Sequence, residues 1–141
     1  MANGIERDRD THPKQGLARL LNRRWLSVLA YLTLVFVLSA QPNLHVPGDV
    51  PYRDKYAHLL EYGGLSWLVY RAVRGSWPAA GATRRVLLSI LALSAVGALD
   101  EKSQAGVPGR DSSVYDWMAD TVGVSLVQVV SAALEKRRGV S

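Results

Sequence analysis

The 141 residues suffice for one domain, and a composition of 48% hydrophobic and 21% charged residues suits a soluble or a membrane protein equally, so the arrangement of charge has to decide. No cysteine is present, which excludes a disulfide framework, a thiolate nucleophile and any Cys-ligated metal site. The formal charge of +5 and pI near 9.8 are not read as a nucleic-acid signature, because no binding motif accompanies them and the basic residues bracket apolar blocks, as membrane topology requires.

Residues 1–18 carry Glu6, Arg7, Asp8, Arg9, Asp10 and Lys14 with too little apolar surface to order themselves, and are expected to be a cytoplasmic polar tail. They do not read as a cleavable signal peptide, since no apolar core follows at the usual distance. A membrane domain is expected over 19–135. Its first apolar block runs from Leu20 or Leu21 to Ala40, with Arg19, Arg23 and Arg24 at its start and Gln41-Pro42 at its end. About 20 residues at 1.5 Å each span a hydrocarbon core of about 30 Å. Pro42, Pro47, Pro51 and Gly48 then exclude a helix and mark an exposed loop.

A second helix is expected from Asp54, a good N-cap type, to about Val73, with His58 and Glu61 inside an otherwise apolar stretch. After a turn containing Gly75-Ser76-Trp77-Pro78, the third block spans Val86 to Leu99 and closes on Asp100-Glu101-Lys102. It reaches membrane length if Thr83–Arg85 and the acidic end lie at the two interfaces. The turn-rich stretch Ala105–Ser113 precedes a fourth helix from Val114 or Tyr115 to about Leu134, and residues 136–141 form a basic tail. Trp25, Trp67, Trp77 and Trp117 fit interfacial anchors, and Gly63-Gly64 and Gly97 fit close helix approach.

Of the 17 Lys and Arg residues, 13 lie in the N-terminal segment, the second connection and the C-terminal segment; Arg53, Lys55, Lys102 and Arg110 lie on the other side. Positive residues stay cytoplasmic, so four spans with both termini inside are expected. That topology puts the acidic residues in the outer half. Asp54, His58 and Glu61 share a face of the second helix with Leu65, Ser94, Gly97, Glu101 and Gln104 form a stripe on the third, and Asp116, Asp120, Gly123 and Val127 one on the fourth. Ionisable groups cost at least about 2.5 kcal/mol each at mid-bilayer, so three such stripes ending at one level predict an outward-facing polar pocket between the second, third and fourth helices.

Asp54-Lys55-x-x-His58-x-x-x-Tyr62, Asp100-Glu101-x-x-Gln104 with Pro108-Gly109-Arg110, and Asp116-x-x-x-Asp120-x-x-Gly123 together resemble the VanZ-like family of small bacterial membrane proteins. The resemblance covers Asp54 to about Leu126 and implies a multi-pass protein of the bacterial inner (cytoplasmic) membrane. Its founding member is associated with low-level teicoplanin resistance, and the family brings no settled biochemical activity. The family often has Asn where this chain has Asp120, which adds a charge and removes an amide donor.

The candidate ligand-binding residues are His58, Glu61, Glu101, Gln104, Arg110, Asp116 and Asp120. His58 is a general base, a metal ligand or a satisfied polar core residue. No metal site is assigned, because no compact His/Asp spacing occurs along the chain, and no cofactor is assigned. Arg110 either holds an anion or pairs with Glu101 or Asp116, and Asp116 fits the acid of a capping box begun by Ser112 or Ser113. The expected fold is an all-α four-helix transmembrane bundle. The expected function is binding of a polar or anionic ligand, such as a lipid head group, with membrane lipids as partners. The alternative is a structural subunit or assembly factor of a larger membrane protein complex, and an enzyme would use His58 or Glu101 as base and Arg110 as anion holder.

Overall fold

The computed structural model of the chain describes residues 23–42, 51–110 and 112–139. The expected tail 1–18 and most of the proline-rich loop, residues 43–50, lie outside the described residues. Within these there are four helices and no strand: α1 Arg23–Ser39, α2 Arg53–Ser76, α3 Ala82–Gln104 and α4 Val114–Arg137.

Proline, glycine and serine set the boundaries. Pro78 forces Trp77 out of the helical region (φ −128°, ψ 62°), so α2 stops at Ser76. Gly109 takes φ 77° in the turn after α3, a conformation that costs a side-chain-bearing residue. Ser113 caps α4, its hydroxyl accepting from Tyr115 N at 3.2 Å. Asp54 is not the N-cap of α2: that position is Tyr52, left-handed at φ 59° and without a side-chain cap bond, while Asp54 lies in the first turn against the positive end of the helix. α3 continues past the apolar block through Asp100 and Glu101 to Gln104, so Ser94, Gly97, Glu101 and Gln104 lie on one helix.

The helices run up-down-up-down. Ser39 at the end of α1 bonds Asp100 near the end of α3, and Lys55 and His58 at the start of α2 meet Asp116 and Asp120 at the start of α4. This end, where α1 and α3 finish and α2 and α4 begin, is the acidic end. At the opposite, basic end Trp25 Nε1 donates to Ser76 Oγ at 2.7 Å, and Glu135 accepts from Tyr70, Arg74 and Arg85.

α2 is the central helix, packed on the other three, and its largest interface is with α4. Gly123 makes that interface possible: a Cβ there would lie 2.3 Å from the Leu59 carbonyl oxygen and 3.1 Å from its carbon. Gly63 and Gly97 leave more room. Between the two helices Gln128 Nε2 donates to Ser66 O and Oγ at 3.1 Å each, and Ser66 Oγ donates to Val124 O at 3.0 Å.

The distribution of polarity is inverted. Asp100, Asp120 and Gln128 are at most 1% exposed, whereas Leu29, Leu88, Leu91, Leu126 and Val129 are more than half exposed. Among the described residues exposed large apolar side chains outnumber the buried ones, and so much exposed apolar surface is unusual on a soluble monomer. Two of the helices among the described residues, α3 and α4, are long and apolar enough to cross a membrane. The 17 described residues of α1 cover about 26 Å, short of a hydrocarbon core of about 30 Å. α2 is as long as α4 and carries Arg53, Asp54, Lys55, Glu61, Arg71 and Arg74 along its length.

Candidate functional site

At the acidic end, α2 presents Lys55, His58 and Tyr62 on successive turns, α4 presents Asp116 and Asp120, and α3 presents Gly97, Asp100, Glu101 and Gln104. Three linked groups result. The outermost is an ion pair in which Lys55 Nζ lies 2.8 Å from Asp116 Oδ1 and 2.7 Å from Asp54 Oδ2. One turn deeper His58 Nδ1 is 3.0 Å from Asp120 Oδ1 and 3.8 Å from Glu101 Oε1; against a carboxylate the ring nitrogen is the donor. The third group centres on Asp100, whose Oδ2 accepts from Ser39 Oγ at 2.9 Å, Gln104 Nε2 at 3.2 Å and Tyr62 OH at 3.4 Å.

Hydrogen bonding leaves a residue of unused acceptors. Asp100 Oδ1, Glu101 Oε1, Asp120 Oδ2 and Glu61 Oε1 are buried and bond no donor among the described residues. A buried acceptor left unmade costs about 1–3 kcal/mol, so four of them at one end of a bundle mark a place suited to a cation or a hydrogen-bond donor. Gly97 contributes by what it lacks, since a Cβ there would come within 3.2 Å of Asp120 Oδ2. Gly97→Ala is therefore expected to displace the Asp120 carboxylate while keeping the helix intact, seen as a shifted His58 ring resonance in NMR with unchanged circular dichroism.

A cavity of about 600 Å³ opens beside these groups, between α1 and α2. Leu34, Val35 and Leu38 form its apolar side; Asp54, His58, Glu61 and Arg110 supply its polar side. The expected pocket between the second, third and fourth helices is thus divided: the carboxylates lie between those three helices, while the cavity lies between the first and second and shares His58, Glu61 and Arg110 with the candidate set.

The other candidates fall as follows. Glu101 and Asp120 join His58, Gln104 joins Asp100, and Asp116 pairs with Lys55. Asp116 is not the capping-box acid: the backbone N–H of Ser113 donates instead to Glu101 Oε2 at 2.9 Å, so an acid of α3 caps α4. Arg110 pairs with neither Glu101 nor Asp116. Its Nε donates to Ser39 O at 3.3 Å and its Nη2 to Leu38 O at 3.2 Å, the latter a carbonyl that also accepts from Gln41 N, at the end of α1. Trp117 is not a free interfacial anchor either, since its Nε1 donates to Ser94 O at 3.0 Å.

Asp100, Tyr62 and Ser39 are absent from the candidate set although they form its most buried group. Asp100 was accessible to periodicity, lying three residues after Gly97 and four before Gln104 on the buried face of α3. Ser39 carries no such signal. His58, Glu101 and Asp120 form a set that spacing along the chain does not reveal: one ligand-type atom from each lies within 4.8 Å of the others, as metal ligation demands. No family model, curated protein or solved structure matches this chain.

Proposed function

We propose that this chain is a four-span, VanZ-like protein of the bacterial inner membrane, both termini cytoplasmic and the acidic end outward, which binds the polar head group of a lipid in the cavity between α1 and α2. The reading rests on one observation above others: that cavity has an apolar side of Leu34, Val35 and Leu38 and a polar side of His58, Glu61 and Arg110, the two chemistries of an amphiphile. The apolar exterior and the excess of Lys and Arg at the basic end support the membrane setting.

Native mass spectrometry of the protein released from mild detergent tests the binding. The wild type is expected to carry lipid, and Glu61→Gln and Leu38→Trp to reduce its retention about tenfold, the loss of one charged hydrogen bond or of the cavity volume. Equal retention by wild type and both variants would overturn the reading. The topology has its own test, since the chain has no cysteine of its own. A cysteine at exposed Ser112 is expected to react with a membrane-impermeant maleimide in intact spheroplasts, and one at Ser76 only after lysis; the reverse pattern would invert the orientation.

A structural subunit of a larger membrane complex is the second reading. It is favoured by Arg110, whose guanidinium holds the carbonyls of α1 rather than standing ready for an anion. Stoichiometric co-purification with a larger complex, without bound lipid, would decide for it.

A further inference from the structure

We infer that His58, Glu101 and Asp120 form a site for a divalent cation of the Zn²⁺ or Mn²⁺ type. One imidazole nitrogen and two carboxylate oxygens are a donor set for such borderline ions. Around an ion with bonds of about 2.1 Å, neighbouring donors stand about 3.0–3.4 Å apart. His58 Nδ1 is 3.0 Å from Asp120 Oδ1 and 3.8 Å from Glu101 Oε1, and one ligand atom from each of the three lies within 4.8 Å of the others, so the set closes on an ion by contracting.

Burial and orphaned acceptors give the independent argument. Asp120 is 0% and Glu101 6% exposed, and each keeps an oxygen, Oδ2 and Oε1, that bonds no donor among the described residues. The Glu101 oxygen is turned toward His58, while its partner oxygen is fixed by the N–H of Ser113, the kind of outer contact that orients a metal ligand. The charge balance favours a cation over an anion. Asp100 and Glu61 add carboxyl groups nearby, Lys55 is engaged by Asp54 and Asp116, and Arg110 by the carbonyls of α1. In binding, the ion takes the place of the Nδ1 proton between His58 and Asp120; an imidazolium loses that proton to solvent, and a neutral ring takes one up at Nε2 in its place, so the ligand is the neutral imidazole in either case.

Three protein ligands leave at least one coordination position. His58 also lines the cavity, so a bound cation would give an otherwise acidic cavity a point of attachment for a phosphate or carboxylate oxygen. Only this last step rests on the lipid-binding reading.

The test uses the full chain in detergent micelles, stripped by chelator and re-equilibrated with ZnCl₂ or MnCl₂ alone. Elemental analysis and titration calorimetry are expected to find one ion per chain. His58→Gln, Glu101→Gln and Asp120→Asn, near-isosteric changes, are each expected to weaken binding at least 100-fold, whereas Lys136→Gln, at the opposite end of the bundle, binds as wild type. In wild type Co²⁺ is expected to give visible absorption with imidazole coordination, lost in His58→Gln, and Zn²⁺ is expected to raise the melting temperature of the wild type but not of Asp120→Asn. Less than about 0.1 ion per wild-type chain, or wild-type affinity in all three variants, would overturn the site. A wild type that retains lipid but binds no metal overturns the cation site alone; one that binds metal but retains no lipid leaves the site standing and overturns the lipid reading.

Discussion

Gly123→Ala is expected to destabilise the bundle by about 2 kcal/mol, while the same change at Gly63 leaves it as stable or slightly more so. Both glycines lie in the α2–α4 crossing, and the difference is in what a methyl group would meet. At Gly123 it meets main chain: the Leu59 carbonyl oxygen at 2.3 Å, its carbon at 3.1 Å and Leu59 Cα at 3.2 Å. No rotamer can relieve that contact, so the two helices must separate, which costs about 3 kcal/mol at the upper end of forced overpacking. The helical preference for alanine returns about 1 kcal/mol. At Gly63 the nearest atom is Val127 Cγ2 at 3.6 Å, ordinary contact, and only the preference remains. Thermal unfolding in one detergent should therefore show the Gly123 variant melting roughly 8 °C below wild type, at about 4 °C per kcal/mol for a chain of this size. Identical melting of the two variants would mean that α2 and α4 do not cross at Gly123.

Glu135→Ala at the basic end is expected to cost about 3 kcal/mol, the largest effect of a single change outside the acidic end. Glu135 Oε1 lies 3.1 Å from Arg74 Nε and 3.3 Å from Arg85 Nη2, and Oε2 accepts from Tyr70 OH. Arg85 decides the magnitude. It is 9% exposed, and without Glu135 its charge keeps, among the described residues, the carbonyls of Trp77 and Pro78, at 3.4 and 3.3 Å. Removing one partner of a buried pair costs about 3–5 kcal/mol, and the lower figure applies because Arg74, 43% exposed, can turn to water. Glu135→Gln keeps an acceptor and is expected to cost about half as much. Asp54→Asn, which removes the half-exposed member of the ion pair with Lys55, serves as the contrast at under about 0.5 kcal/mol. Equal melting of Glu135→Ala and Asp54→Asn would show that Arg85 is hydrated in solution.

The outcome at α3 explains where reading along the chain succeeds and where it stops. Val86 to Leu99 is legible as a helix because its apolar content and the glycines and prolines around it are local properties. Asp100-Glu101-Lys102 reads as the interfacial end of that apolar block because a charged run after an apolar block normally meets water. Here Asp100 and Glu101 are buried instead, since Asp100 finds Ser39 and Tyr62, and Glu101 finds the N–H of Ser113. Whether a carboxylate ends a helix or is buried by it depends on partners on other helices. Arg110 shows the same dependence: its residue type announces an anion holder, yet its place in the turn delivers it to the carbonyls at the end of α1.

The sequence by itself determined the four helices, their approximate limits, the gathering of polar residues at one end and the charge asymmetry between the two ends, because periodicity, breakers and charge placement act over a few residues. Only the tertiary structure decided that His58, Glu101 and Asp120 share one buried site, that Asp100 anchors a second, that the cavity opens toward α1, and that Gly123 sets the closest helix contact. Those facts depend on the rotation and depth of each helix against its neighbours, and packing fixes both across distances in the chain that no local pattern spans.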